Sequence, residues 1–372
     1  MYPGSKMIIY APLLSYIPFT FATPFQSFYP RYAPTLTNLS ENVCNETLAL
    51  LEGVNYSPDN APSYADQLVY CYGHENCMLA HLPAAYLANY QAAAVIMGLT
   101  PTILASLGPS VAETSLLSAH RPLLSFLISL GAPAVYPTRV FEFTDPYSVL
   151  RHKEHVLKLP LLGTRSAIIC SVLEYMFALA AAASIILTSA QLGSKTILVW
   201  ACTNQTMPLI WTFLSTVIHI GAALSYKIAL NSSRRRNHGC QSTKPRGSES
   251  SARKGTLHRI SDLLRSEFRI CALRKQLHAH KLEDPPSVAV LLSSFAGVGG
   301  FWHVVFGTII FSSLAFISVF EFLNFVFWRY ILAAAVCRLI LMVELTGLRA
   351  VQRRFEQQAN GGSTSITISE VK

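Results

Sequence analysis

Ionisable side chains inside long apolar stretches are the residues of this chain that could do chemistry. Glu174, His219 and His303 each interrupt such a stretch. A carboxylate at membrane depth is costly and usually faces a protein interior or a water-filled cavity. Glu174 therefore either forms structural hydrogen bonds between helices, with His219 and His303 as candidate partners, or serves a substrate, an ion or a proton. Arg338 and Glu344, near the end of the last stretch, are expected to reach the head groups.

Metal and catalytic patterns are incomplete throughout the sequence. His152 with His155, and His278 with His280, look like fragments of metal sites. Neither pair has the His-Glu-x-x-His pattern or neighbouring cysteine pairs, so we expect solvated loop residues. Gly-x-Ser-x-Gly elbows and phosphate-binding loops do not occur. The sequence therefore predicts no catalytic residue, no metal ligand and no cofactor, and indicates a protein that is not an enzyme.

Five apolar stretches must position these side chains. Charged residues make up only 13% of the chain, against roughly 25% in globular proteins. A membrane span needs about 20 mostly apolar residues. The stretches that qualify are Tyr90–Leu107, Ala167–Ala190, Ile197–Ala223, Phe301–Val319 and Val326–Leu345. Polar residues near the start of the third stretch limit its continuous apolar part to about Met207–Ala223. We predict an all-α, polytopic transmembrane protein with about five spans.

The distribution of basic residues indicates an orientation. Segment 23–87 has one basic residue, Arg31, against six acidic ones, whereas segments 108–165, 226–287 and 349–372 are rich in Lys and Arg. Basic residues that flank spans prefer the cytoplasm. We therefore expect a lumenal or extracellular N-terminus and a cytoplasmic C-terminus, in a membrane of the secretory pathway, the plasma membrane first.

The N-terminal 22 residues have the pattern of a signal peptide. Lys6 precedes the apolar run Met7–Ala22, which Pro12 and Pro18 interrupt. An uncleaved first span is the alternative, although two prolines and the short length suit a span poorly.

Segment 23–87 has the features of a secreted surface. Three N-x-S/T sequences predict glycosylation at Asn38, Asn45 and Asn55. The segment also contains Cys44, Cys71 and Cys77. In an oxidising compartment they can form one disulfide and leave one thiol over. Cys71–Cys77 is the simplest local pairing, although sequence alone does not decide it.

The segment after the first span contains two short helical patterns. Ser110, with Glu113 three residues later, predicts a capping box at the start of a helix. Pro122–Leu130 is apolar but too short to span, so we expect it to lie in the interface or to re-enter the membrane.

The same region resembles a known family. Its elements are Leu-Thr-Pro-Thr-Ile-Leu at 99–104, Leu-Gly-Pro-Ser at 107–110, Ala-Glu at 112–113, Arg-Pro at 121–122, Phe-Glu-Phe at 141–143 and Asp-Pro at 145–146. They resemble an uncharacterised family of multi-pass membrane proteins of filamentous fungi, closely over residues 95–150 and loosely over the later spans. The resemblance implies a fungal membrane protein and no particular activity.

The long segment 226–287 is basic and has two parts. Residues 231–254 are rich in Ser, Arg and Gly, so we expect disorder there and in the tail, 349–372. Residues 256–281 have apolar positions at helical spacing, which predicts a basic amphipathic helix. It lies either on the inner leaflet or on the protein's own cytoplasmic segments. The residues expected to face anionic lipid are Arg234, Arg235, Arg236, Arg265 and Arg269.

These features favour a non-enzymatic integral membrane protein, a scaffold, sensor or interaction protein whose basic cytoplasmic loop binds lipid or a protein partner. A nucleic-acid partner is not expected, since basic and aromatic residues are not interleaved. The alternative is a transporter or channel with Glu174 and His219 in the helix bundle. A membrane enzyme ranks third, because it needs convergent catalytic groups at one membrane depth.

Overall fold

The computed structural model describes residues 24–53, 64–136, 146–151, 164–240, 267–268, 270–271 and 285–364. Within these ranges the chain is almost entirely helical, and its strands form one two-stranded sheet. The predicted all-α class is confirmed. The predicted signal peptide and most of the predicted amphipathic helix lie outside the described residues.

The described residues form twelve α-helices. In chain order they are α1 (Ala33–Asn38), α2 (Asn45–Gly53), α3 (Tyr64–His81), α4 (Ala84–Leu107), α5 (Val111–Ser118), α6 (Pro122–Gly131), α7 (Ser148–Arg151), α8 (Thr164–Lys195), α9 (Met207–Cys240), α10 (Ser287–Ser312), α11 (Val319–Glu321) and α12 (Trp328–Thr364). Two π-helical segments, Leu39–Val43 and Phe322–Phe327, follow α1 and α11. The strands β1 (Ile197–Leu198) and β2 (Leu314–Ala315) pair antiparallel, with Ile197 opposite Ala315.

Among the described residues, five helices are long and apolar enough to cross a membrane, as the sequence predicted. They are α4, α8, α9, α10 and the helix that runs from α11 into α12. Large apolar side chains such as Phe177, Val217, Trp302 and Leu332 are exposed on their outer surfaces. A helix that is apolar on its exposed side as well as its buried side is typical of a membrane span.

Two helix boundaries differ from the apolar stretches. The third stretch begins in β1, and its helix begins only at Met207. The fourth helix begins at Ser287 rather than Phe301, because the glycines before Phe301 lie inside it. These glycines let α10 pack closely on α9: a Cβ added to Gly299 would lie 3.2 Å from Cγ1 of Ile218. Small residues at such contacts are what close helix packing in membranes requires.

Two helices run further than predicted. Helix α9 continues to Cys240, so Arg234–Arg236 are helical rather than part of a disordered stretch that begins at residue 231. Helix α12 continues to Thr364, well into the predicted disordered tail, 349–372. Arginine, glutamine and glutamate are good helix formers, which favours the continuation of both helices.

A cap, defined here as residues 24–53 and 64–81, covers one end of the helix bundle. Its apolar side chains, among them Phe25, Leu36 and Met78, pack with Phe316 and the two strands in a cluster separate from the bundle core. We call this end of the bundle the cap end. The opposite end, where α4 leads into α5 and α9 ends, is called the loop end.

Helices α5 and α6 lie at the loop end. The predicted capping box is confirmed: Ser110 accepts a hydrogen bond from the Glu113 amide, and Glu113 accepts one from the Ser110 amide. Leu124 and Ile128 of α6 are fully buried, and α6 packs on α8 and α9. The short apolar helix therefore enters the bundle rather than lying along its surface.

Candidate functional site

Arg121, at the loop end, is a charged residue with no exposed surface. It precedes Pro122, which begins α6, and its own amide bonds to the carbonyl of Leu117 at the end of α5. Proline at the first position of a helix has a dihedral angle already suited to it. The turn between the two helices therefore fixes the direction in which the guanidinium enters the bundle.

Two carboxylates from different long helices bind this guanidinium. Nη1 of Arg121 lies 2.5 Å from Oε2 of Glu174 on α8 and 2.7 Å from Oε1 of Glu344 on α12. Nη2 donates to the hydroxyl of Ser171, at 2.7 Å. Burial lowers the pKa of Arg121, but Glu344 and Glu174 outweigh this and raise it overall, so the group stays charged. One arginine thus joins α6, α8 and α12.

The same arginine binds a short piece of the basic loop. Its Nε donates to the carbonyl oxygen of Glu267, at 2.9 Å. The Glu267 side chain accepts hydrogen bonds from the amides of Leu123, at 2.9 Å, and Leu124, at 3.1 Å. Its carboxylate therefore satisfies free N–H groups at the start of α6, where a negative charge is also favoured by the helix dipole.

Further contacts of Glu267 and of the residues after it complete the docking. The Tyr175 hydroxyl donates to Oε1 of Glu267 at 2.7 Å, and the Phe268 ring lies 5.0 Å from the Tyr175 ring. The amide of Cys271 donates to Oε2 of Glu344, at 3.2 Å. The described residues of the loop segment 267–271, which are 267–268 and 270–271, are thus held by α6, α8 and α12. We call Arg121, Glu174, Glu267 and Glu344 the charge cluster.

The predicted histidine partners of Glu174 were wrong, because its carboxylate binds Arg121. Nδ1 of His219 lies 2.8 Å from the hydroxyl of Thr114, on α5. His303 stacks on Trp211 and exchanges hydrogen bonds with its backbone carbonyl and indole N–H. Both histidines join neighbouring helices, whereas the carboxylate of Glu174 turns toward the cation on α6.

The prediction that Glu344 reaches the head groups was also wrong. Glu344 is fully buried in the charge cluster, and Arg338 forms an ion pair with Glu113. Because Glu113 also accepts from the amide of Ser110 at 2.8 Å, this pair attaches the start of α5 to α12. Sequence reasoning missed Arg121, because it was counted with the cytoplasmic charges. Its position directly before an apolar helix too short to span was the available signal.

Two disulfides hold the cap, and the predicted Cys71–Cys77 pairing is wrong. Cys44 bonds to Cys77, and Cys71 bonds to Cys202, in the connection between β1 and α9. Cys71 and Cys77 lie six residues apart on α3, about 9 Å along its axis. Disulfides join Cα atoms only about 4–7 Å apart. The third cysteine of the segment is not left over, because its partner comes from a distant connection.

The cap also buries a histidine beside an acid. His74 lies between the hydroxyls of Ser40, 2.9 Å from Nε2, and Thr47, 2.8 Å from Nδ1. Burial lowers the pKa of His74 to about 4, against an opposing backbone hydrogen bond at Cys44. Both carboxyl oxygens of Glu75 are buried without a hydrogen-bond partner among the described residues, and burial raises the pKa of Glu75 to about 7.

The remaining sequence candidates are divided between described and undescribed residues. Asn38 and Asn45 are exposed on the cap, and Asn55 lies outside the described residues. Arg235 and Arg236 are exposed on α9, which also contains Arg234, whereas Arg265 and Arg269 are not described. The glycosylation and lipid-facing assignments remain predictions.

One group of potential metal ligands occurs among the described residues. Cys44, Cys77 and His81 have their side-chain ligand atoms within 4.8 Å of one another. The two sulfur atoms are bonded to each other, so they are not the thiolates that a metal such as zinc requires.

Fold and site together define a helical protein with five membrane-spanning candidates, a disulfide-bonded cap at one end and a loop-binding charge cluster at the other. No protein-family model matches the chain, and no curated protein or solved structure does so either.

Proposed function

We propose that this chain is a non-enzymatic membrane sensor or interaction protein that docks its basic cytoplasmic loop on the loop end of the helix bundle. The rest of the loop is then available to anionic lipid head groups. The protein lies in a membrane of the secretory pathway, with the plasma membrane as the first candidate and the cap on the outer side.

The observation that carries this proposal is the binding of residues 267–271 by three helices. Glu267 alone accepts from two α6 amides and one tyrosine hydroxyl, and its carbonyl accepts from Arg121. A partner peptide bound in a groove makes contacts of this kind. A bundle that binds part of its own loop can couple the state of the loop to the packing of α6, α8 and α12.

Charge supports a lipid partner for the remainder of the loop. Residues 227–286 contain fourteen Lys and Arg against five Asp and Glu. Arg235 on α9 and Arg353 on α12 are exposed at the same end of the bundle. Clustered basic residues next to spans attract anionic lipid by about 1 kcal/mol for each charge near the surface.

The two ends of the molecule support the orientation. The Cys71–Cys202 bond joins the cap to the connection between β1 and α9, and the Cys44–Cys77 bond lies within the cap. Disulfides persist in oxidising compartments. The basic residues at the ends of α9 and α12 lie at the other end, as the preference of flanking charge for the cytoplasm requires.

A transporter or channel is the second candidate, and Glu174 is the observation in its favour. Its Oε1 is buried without a hydrogen-bond partner among the described residues. Its other oxygen is bound to Arg121, and this ion pair favours a structural role for Glu174 over a role in transport. A Glu174→Gln variant that loses a transport phenotype at unchanged protein level would support transport, whereas loss of the protein itself would indicate structure.

Limited proteolysis of the full chain in nanodiscs tests the leading proposal. We expect trypsin to cleave the basic loop more slowly in discs containing phosphatidylserine than in phosphatidylcholine alone, and salt to remove the difference. Replacing Arg234, Arg235 and Arg236 by Gln should reduce the protection. Arg31→Gln, a change of the same kind at the cap end, should not. Equal cleavage rates in the two lipids would refute the proposed lipid partner.

A further inference from the structure

One buried histidine of the cap binds the hydroxyls of two glycosylation sequences. Ser40 ends Asn38-Leu39-Ser40, and Thr47 ends Asn45-Glu46-Thr47. Their hydroxyl oxygens lie 2.9 Å from Nε2 and 2.8 Å from Nδ1 of His74. A neutral imidazole donates from one nitrogen and accepts at the other, so the two hydroxyls together satisfy the ring.

The asparagines and their hydroxyls have opposite environments. Asn38 and Asn45 are exposed, whereas Ser40 is buried and Thr47 is partly buried. The Thr47 hydroxyl also bonds to the carbonyl of Cys44, at 2.9 Å. The N-x-S/T sequence depends on its hydroxyl residue for recognition. In the folded cap these hydroxyls bind His74 and are withdrawn from an enzyme that approaches the asparagines.

The position of the cysteines determines when this arrangement can form. The Cys44–Cys77 bond holds α3, and with it His74, against the segment that contains both sequences. Its cysteines are 33 residues apart, so it can close as soon as residue 77 is available. The Cys71–Cys202 bond spans 131 residues and has to wait for the connection before α9.

We propose that glycosylation of Asn38 and Asn45 competes with closure of the cap, and that glycan transfer has to precede the binding of Ser40 and Thr47 by His74. The donor is a lipid-pyrophosphate-linked oligosaccharide. The asparagine Nδ2 forms a bond to the anomeric carbon, loses one proton and displaces the lipid pyrophosphate. The inference rests on the proposed placement of the cap outside the cytoplasm.

The test is a pulse-labelling experiment on the full chain in eukaryotic cells, with Asn55→Gln and Asn204→Gln so that Asn38 and Asn45 are the acceptors that remain on the cap side. Glycans are counted from the gel shift that an endoglycosidase removes. Dithiothreitol during the pulse, or Cys44→Ser with Cys77→Ser, delays closure of the cap. We expect both to shift the chains from unmodified and singly modified bands toward the doubly modified band. His74→Ala should produce the same shift with both disulfides present.

The matched control is Cys71→Ser with Cys202→Ser, which removes the late bond and should leave the band distribution unchanged. If the distribution is the same in the wild type, the reduced pulse and the His74 variant, competition is refuted while the placement of the cap stands. If no glycan is added under any condition, the proposed placement is refuted, and this inference with it.

Discussion

The two ends of this helix bundle are held by different chemistry. At the cap end, the Cys44–Cys77 bond and a histidine between two hydroxyls hold the cap together, and the Cys71–Cys202 bond fixes it to the connection between β1 and α9. At the loop end, one guanidinium and three carboxylates connect α6, α8, α12 and residues 267–271. Covalent bonds persist once formed, whereas ionic and hydrogen-bonded contacts can be exchanged for a competing partner. The difference indicates a permanently attached cap and a loop whose docking is reversible.

Removing the cation of the charge cluster should have the largest effect. Arg121→Gln leaves Glu174 and Glu344 buried without a positive partner, which should lower the free energy of unfolding by roughly 3–5 kcal/mol. Thermal unfolding in nanodiscs, read by a thiol-reactive dye at buried cysteines such as Cys337, measures it. Arg31→Gln, which loses only exposed ring contacts with Tyr32 and Phe320, should lower stability by no more than about 1 kcal/mol. Similar melting of the two variants would contradict the assignment.

Breaking the Cys71–Cys202 disulfide should lower stability somewhat less than Arg121→Gln, and only at the cap end. Cys71→Ser with Cys202→Ser is expected to destabilise the cap by roughly 2–4 kcal/mol. Hydrogen exchange should become faster in α3 and stay unchanged in α6. Equal acceleration in both helices would show that the two ends are not independent.

Removing the loop's own carboxylate should release the loop without unfolding the bundle. Glu267→Ala removes three accepted hydrogen bonds, and charged hydrogen bonds contribute about 1.5–3 kcal/mol each. We expect faster maleimide labelling of Cys271, which is fully buried. Tyr175→Phe should accelerate it less, and Glu249→Ala, the same change elsewhere in the loop, should not. Unchanged labelling of Cys271 in Glu267→Ala would show that the Glu267 carboxylate does not hold the loop in place.

The smallest effect concerns the pH dependence of the cap. The pKa of Glu75 is raised from 4.5 to about 7. Its favourable contribution to the stability of the cap is therefore complete below pH 4.5 and is lost as pH rises through 7. The pKa of His74 is lowered from 6.5 to about 4, so its contribution is complete above 6.5 and is lost as pH falls through 4. The two slopes oppose each other, and cap stability should change little between pH 4.5 and 6.5.

Glu75→Gln should remove the contribution of Glu75 to the pH dependence of cap stability and leave that of His74. Hydrogen exchange of α3 in this variant should then become faster as pH falls from 6.5 to 4.5, after correction for the intrinsic exchange rate. Above pH 7 the variant should be more protected than the wild type, because no buried carboxylate has to ionise. Glu46→Gln, at an exposed position, is the control. Identical pH profiles of Glu75→Gln and the wild type would contradict the opposing pair.

Local patterns predicted the fold better than the site. Hydropathy indicated the five long helices, and the spacing of Ser110 and Glu113 indicated a capping box, because both depend on residues close in sequence. The Cys71–Cys202 bond joins residues 131 positions apart, so no local pattern indicates it. Arg121 was missed because its charge is stable inside the bundle only when Glu174 and Glu344 bind it, and these two residues approach from two other helices. Such convergence depends on the rotation of each helix about its axis.

The central claim is that residues 267–271 dock on α8, and a cross-link tests it most directly. Tyr175→Cys and Phe268→Cys replace rings 5.0 Å apart, in a full chain whose other free cysteines are serine. After oxidation in native membranes and tryptic cleavage of the loop, we predict two fragments that stay joined until reduced. Leu179→Cys, one turn further along α8 and 55% exposed, should not cross-link with Phe268→Cys. Separate fragments from the Tyr175–Phe268 pair, or equal cross-linking of both pairs, would contradict the docked loop.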